Sequence, residues 1–245
     1  MLKLFKYEMR KTMVSKLVML GLIVCLEALF LYGVFGGSQS TATIAEIVFI
    51  IIALMGVLII GIQSVITLHH DMNTKQSYML FMTPHSNYAI LGAKVLECML
   101  SILLTGVVFF GIIVLNYRLL VSNFSDIAEL DAFIKPFISM LGDNVVINLP
   151  TIAFFAANTV ISWFETVVLA FFADVLATSL LKGKKFGGFV AFVLFIVLTI
   201  VTERIAGLVP SGDSAATLLK SVVMLVIAGA VYVASAALME KKLSV

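Results

Sequence analysis

Six stretches of this chain are too long and too apolar to be the core of a water-soluble domain: Leu17–Gly37, Ile44–Leu68, Lys94–Tyr117, Leu149–Leu181, Phe186–Val209 and Ala215–Met239. A helix needs about 20 apolar residues to cross the roughly 30 Å hydrocarbon core of a bilayer. In lipid every backbone N–H and C=O must be satisfied inside the protein, so uninterrupted apolar runs of this length are read as helices. Composition points the same way, with 62% hydrophobic and 12% charged residues, against roughly 25% charged in a soluble domain. The expectation is an all-α membrane protein, one domain over residues 1–245 with six transmembrane helices. The fifth run carries Thr202-Glu203-Arg204, so it is expected to cross over Phe186–Val201 and to finish at or beyond the outer interface.

Lys and Arg placement sets orientation, because basic residues are retained on the cytoplasmic side. With the N-terminus inside, twelve of the sixteen basic residues are internal: Lys3, Lys6, Arg10, Lys11, Lys16, Lys75, Lys94, Lys182, Lys184, Lys185, Lys241 and Lys242. Only Arg118, Lys135, Arg204 and Lys220 fall outside, where Glu46, Asp126, Glu129, Asp131, Asp143, Glu203 and Asp213 also lie. Both termini are therefore expected in the cytoplasm. The first apolar run is longer than the 7–15 residues of a signal-peptide core and reads as a retained span.

Between the spans, residues 2–13 have the pattern of an amphipathic helix lying in the interface. Leu2, Phe5, Met9 and Met13 share one face, beside Lys3, Lys6 and Arg10. An ordinary basic flank of the first span is the plainer alternative. The segment Arg118–Asn148 repeats Ile127, Leu130, Ile134, Phe137, Ile138 and Leu141 at helical spacing, with Pro136 expected to kink or divide it. Cys25 and Cys98 sit in apolar runs and read as small buried hydrophobes rather than a disulfide pair.

Motifs for covalent chemistry are missing. The chain has no Walker lysine loop, no His-Glu-x-x-His and no Gly-x-Ser-x-Gly, and its net charge of +2 is too small to imply a nucleic-acid partner. His69, His70, Asp71 and His85 cluster after the second span; they read as interfacial polar residues before metal ligands. Glu27, Glu165 and Asp174 lie inside spans, and Glu97 nearer an edge. Intramembrane acids are costly and face the bundle interior or water. Two readings stand: they line a path for a cationic or amphipathic substrate or for protons, or they are structural groups bonded across helices.

The segment from Leu68 to Lys94, LHHDMNTKQSYMLFMTPHSNYAILGAK, resembles the cytoplasmic loop after the second span in ABC type-2 transporter permeases. The matching positions are Asp71, the turn Asn73-Thr74-Lys75, a short helix around Gln76–Met82, Thr83-Pro84, and Gly92 with Lys94. The basic N-terminal helix is similar to the family's connecting helix, and the ending Leu238-Met239-Glu240-Lys241-Lys242-Leu243 is similar to its C-terminus. The resemblance implies a coupling helix in the loop 69–93, with Asp71, Lys75, Gln76, Ser77, Tyr78, Met79, Leu80 and Pro84 contacting a separate ATPase subunit. It also implies two ATPase copies carrying ATP and Mg, no cofactor in this chain, and a second permease chain, identical or paralogous. The place would be a bacterial plasma membrane, and the cargo a hydrophobic or amphipathic peptide, drug-like compound or lipid. Two features depart from the family: its Gly-Thr pair in the polar turn is replaced around Lys75-Gln76, and the connection Ala206–Ser214 between the last two spans is short. On the residues alone, the apolar cluster Tyr78–Met82 reads as packing against the bundle. Rival classes are an ion- or proton-coupled secondary transporter using Glu27, Glu165 and Asp174, an intramembrane enzyme, and a sensor or immunity complex.

Overall fold

In a computed structural model the chain is described over residues 2–73, 86–124, 149–181, 186–209 and 214–243. These residues form seven helices: α1 (Leu2–Lys11), α2 (Met13–Phe35), α3 (Gln39–Asn73), α4 (Asn87–Asn123), α5 (Leu149–Leu181), α6 (Gly187–Ala206) and α7 (Ser214–Leu243). Each of α2 to α7 contains a stretch long and apolar enough to cross a membrane. At 1.5 Å per residue, α3 with 35 residues and α4 with 37 are each over roughly 50 Å long. They exceed the hydrocarbon core and carry helical structure past its boundary. The interfacial pattern within Arg118–Asn148 falls from residue 125 onward outside the described residues.

The charged triplet does not interrupt the fifth span. Helix α6 continues through Thr202, Glu203 and Arg204 to Ala206, and the Gly207 N–H donates to the Glu203 carbonyl at 2.8 Å. Thr202 satisfies its hydroxyl within the helix by donating to the Thr199 carbonyl at 3.0 Å. Glu203 and Arg204 lie in the last turn with exposed side chains, and Lys220 of α7 reaches Glu203 at 3.7 Å.

The outer faces of these helices are apolar. Phe35, Phe110 and Phe186 are each at least 70% exposed, and Leu, Ile and Val side chains surround them along every span. Such a surface is far larger than the patches soluble proteins expose, and lipid is the solvent that suits it. The chain is a multi-pass membrane protein. Helix α5 differs from its neighbours: half of its apolar window is buried, against 17–33% for the other five.

The residues divide into two compact units. One comprises α2, residues up to Ile60 of α3 and α4 from Leu100 onward. Its α2–α3 hairpin is closed by backbone alone. Gly37 adopts φ +67, Gly37 N–H donates to Val34 and Ser38 N–H to Gly33, the paired bonds of a Schellman ending. A Cβ on Gly33 would stand 2.6 Å from the Ala42 backbone nitrogen, so only glycine permits this helix contact. Phe30, Val34, Ala42 and Leu120 form one apolar cluster. Met19, Phe49, Ala53 and Phe109 form another, with the Phe49 and Phe109 rings edge-to-face at 5.6 Å.

The second unit holds α1 up to Met9, α3 from Gly61, α4 up to Met99, and α5, α6 and α7. Asn158 of α5 accepts from the Ser221 hydroxyl of α7, and the Tyr232 hydroxyl donates to the Tyr88 carbonyl at 2.7 Å. The face of α1 turned to the protein is not the one carrying Phe5, Met9 and Met13. Phe5 and Met9 are half-buried and Met13 is exposed, whereas Leu4 and Glu8 are buried. Leu4 packs with Ile90 and Ala93 of α4, so protein contact, not the apolar count, selects the inward face.

The hairpin yields a graded expectation. Gly37→Ala places a Cβ in the left-handed region, at a cost of about 1–2 kcal/mol. Gly33→Val has to part α2 from α3 and should cost more. Thermal melting of both variants in one detergent measures the order, and equal melting of Gly33→Val and wild type would contradict the packing.

Candidate functional site

Three buried stripes meet around the two roots of the segment 74–85. On α3, Ser64, Leu68 and Asp71 recur at helical spacing and are all buried; on α4 the stripe is Ile90, Lys94 and Glu97; on α1 it is Leu4 and Glu8. Residues three or four apart share a helix face, so each stripe carries an apolar anchor followed by an ionisable group.

Lys94 is the centre of the cluster. Its Nζ donates to Glu8 Oε1 at 2.9 Å and to Asp71 Oδ2 at 2.7 Å. All three side chains are at least 93% buried. Asp71 lies at the end of α3 and Lys94 near the start of α4, so their bond pins the two roots of the intervening segment together. Glu8 adds α1 to the same ammonium. A short distance along, Ser64 Oγ donates to Glu97 Oε2 at 3.2 Å, again joining α3 to α4.

A second polar contact ties α3 to α5. His69 Nδ1 lies 2.6 Å from Asp174 Oδ1, with Asp174 buried and His69 partly exposed. A Cβ on Gly187 at the start of α6 would come within 3.0 Å of the His69 ring, so α6 closes over it. Asp174 Oδ2 and Thr178 Oγ1, one turn apart on α5, are buried with no hydrogen-bond partner.

The intramembrane acids separate rather than converge. Glu27 accepts from Asn116 Nδ2 at 3.1 Å within the α2–α4 unit. Glu165 and Asp174 belong to the other unit. Nine residues apart, they lie about 180° around α5 from one another. Asp174 faces His69, whereas Glu165 lies near Thr202 and has Glu203 and Lys220 as its neighbouring charges. Burial on both sides is why α5 is the most enclosed span. Glu46, counted among the outer acids, stands near the start of the second apolar run and is a buried residue of α3, bonded to Asn116 at 2.9 Å.

Of the residues assigned to coupling, Asp71 is in the Lys94 cluster. Lys75, Gln76, Ser77, Tyr78, Met79, Leu80 and Pro84 lie outside the described residues, as does His85. Among the described residues no group of three or more His, Cys, Asp or Glu could hold a metal ion. Sequence reading passed over Glu8, although it is the sole acid in a helix with Lys3, Lys6, Arg10 and Lys11 and stands one turn from Leu4. No protein-family model, curated protein or solved structure matches this chain.

A buried charge that loses its partner is strongly destabilising, by about 3–5 kcal/mol. Lys94→Met leaves Glu8 and Asp71 buried without their shared cation and should lose stability in that range. Glu8→Gln, which leaves the Asp71 pair intact, should lose less. Melting of the two variants beside wild type checks the order; an unchanged Lys94→Met protein would mean the cluster contributes nothing.

Proposed function

We propose that this chain is the membrane-spanning permease subunit of an ATP-driven exporter of the ABC type-2 class. The observation that carries the reading is the Lys94 cluster. It joins α1, the end of α3 and the start of α4 at the roots of the segment 74–85, the same segment whose residues resemble the family's coupling loop. A loop that receives force from a partner needs stiff roots, or the displacement is absorbed locally. Two short ion pairs in a buried setting supply that stiffness. The third member, Glu8, links the amphipathic N-terminal helix to the same point, so the start of α1, the end of α3 and the start of α4 would move together.

In this reading both termini and the segment 74–85 are cytoplasmic, in a bacterial plasma membrane. Tyr78, Met79, Leu80 and their neighbours Lys75, Gln76, Ser77 and Pro84 form the docking element for one of two ATPase chains, which carry ATP and Mg. A second permease, identical or paralogous, completes the pathway. The chain itself makes and breaks no covalent bond: partner binding shifts the balance between inward- and outward-open packings, to the extent that it binds them differently. The apolar character of the spans favours a hydrophobic or amphipathic cargo such as a peptide, drug-like compound or lipid. The rival reading, a proton- or ion-coupled transporter using Glu27, Glu165 and Asp174 together, is weakened by the different partners these acids have.

Docking is testable directly. Co-expressed with an ABC-type ATPase subunit found encoded beside its gene, the wild-type chain should co-purify with that protein, and Tyr78→Asp and Leu80→Asp should each abolish the association while inserting normally. Retention of the ATPase by both variants would remove the segment 74–85 from coupling.

A further inference from the structure

Glu27 of α2, Glu46 of α3 and Asn116 of α4 meet inside the α2–α4 unit. Phe30, Val34 and Leu120 belong to the apolar cluster on one side of them, and Met19, Phe49 and Phe109 to the cluster on the other. Glu46 and Asn116 are each 1% exposed.

The hydrogen-bonding inventory of this trio does not close. Two ionised carboxylates and one amide present five acceptor oxygens and two N–H donors. Asn116 Nδ2 serves one oxygen of each acid, at 3.1 Å for Glu27 and 2.9 Å for Glu46. Glu46 Oε1 and Asn116 Oδ1, contributed by different helices, are buried with no partner among the described residues. Buried acceptors normally have a donor, and orphans call for an explanation. The charge is unbalanced as well. Among the described residues no Lys, Arg or His pairs with either acid, and the charge that bears on Glu46 is that of Glu27, another anion. Two anions between apolar layers, with only an amide between them, are far costlier than a paired charge.

We propose that Glu27, Glu46 and Asn116 form a binding site for one monovalent cation, a proton or an alkali ion. Either source supplies the missing positive charge to the carboxylate oxygens. A proton sits on one carboxylate and makes it a donor to its neighbour; an alkali ion draws the free Glu46 oxygen, a Glu27 oxygen and the Asn116 carbonyl around it. One cation leaves a single negative charge, which the two Asn116 N–H bonds and the half-exposed side of Glu27 accommodate. A divalent ion fits less well, because calcium takes six to eight oxygen ligands and magnesium keeps several waters, and three side chains between apolar clusters provide neither. The bound cation fastens α2, α3 and α4 to one another, and the site is independent of the exporter reading.

The test uses the full chain in lipid nanodiscs. Melting is followed as sodium, lithium or potassium replaces choline at constant ionic strength, and infrared difference spectra against Glu27→Gln and Glu46→Gln report any protonated carboxyl group. An alkali ion at the site gives a saturable upward shift of the wild-type melting midpoint that both glutamine variants lose. A proton gives alkali-independent melting and a protonated-carboxyl stretch in wild type that at least one glutamine variant abolishes. If Glu46→Gln fails to assemble, Glu27→Gln, at the less buried position, supplies the comparison. Wild-type protein with neither an alkali-dependent shift nor a protonated-carboxyl signal overturns the proposal.

Discussion

In hydrocarbon a polar side chain has no water to fall back on, and this constraint governs where the described helices touch. The bonds between buried polar side chains of the described residues join different helices: Lys94 with Glu8 and Asp71, His69 with Asp174, Ser64 with Glu97, and Asn116 with Glu27 and Glu46. Apolar burial cannot choose among helix arrangements when lipid tails are as apolar as leucine. Directional bonds can, because only one register brings donor and acceptor within hydrogen-bonding distance. The polar minority therefore specifies the packing that the apolar majority tolerates.

The two units use this device differently. Around Lys94 the charges nearly balance and every helix contributes an apolar anchor beside its ionisable group, which suits a stiff joint. Around Asn116 acceptors outnumber donors, which suits a place where something is taken up. Helix α5 has polar groups on opposite faces, Glu165 and Asp174, and so is held from two sides. A helix gripped on both sides moves only when its partners move, whereas α6, bearing mostly lipid-facing side chains, has few such constraints.

Much of the fold was legible because the spans are written in the crudest of signals, apolar length. All six apolar runs are helices, and Leu149–Leu181 coincides with its helix to the residue. Single charges say less about packing than about where an apolar run stops. Thr202-Glu203-Arg204 follows the crossing segment expected over Phe186–Val201, and α6 carries the triplet in its last turns with Lys220 near Glu203. Glu46, placed among the outer acids, stands near the start of the second apolar run, and α3 buries it against Asn116. In α1 the conspicuous Phe and Met spacing hid the stripe Leu4–Glu8, which matters because a basic residue 86 positions later in the chain lies opposite it. Pairings of that kind depend on tertiary register, which no local pattern encodes. Glu27, Glu165 and Asp174 were individually conspicuous, but their separate partners follow only from the fold.

The three-residue reversal Gly36-Gly37-Ser38 has a consequence for how the protein is made. Because that turn satisfies its own backbone and Gly33 lets the helices touch, α2 and α3 can enter the bilayer together as a finished pair. They carry Glu27 and Glu46 with them, while the amide that bridges both acids is supplied by Asn116, synthesised some seventy residues after Glu46. For that interval the newborn hairpin holds both acids without the amide that bridges them, and α4 supplies that bridge only when it joins the pair.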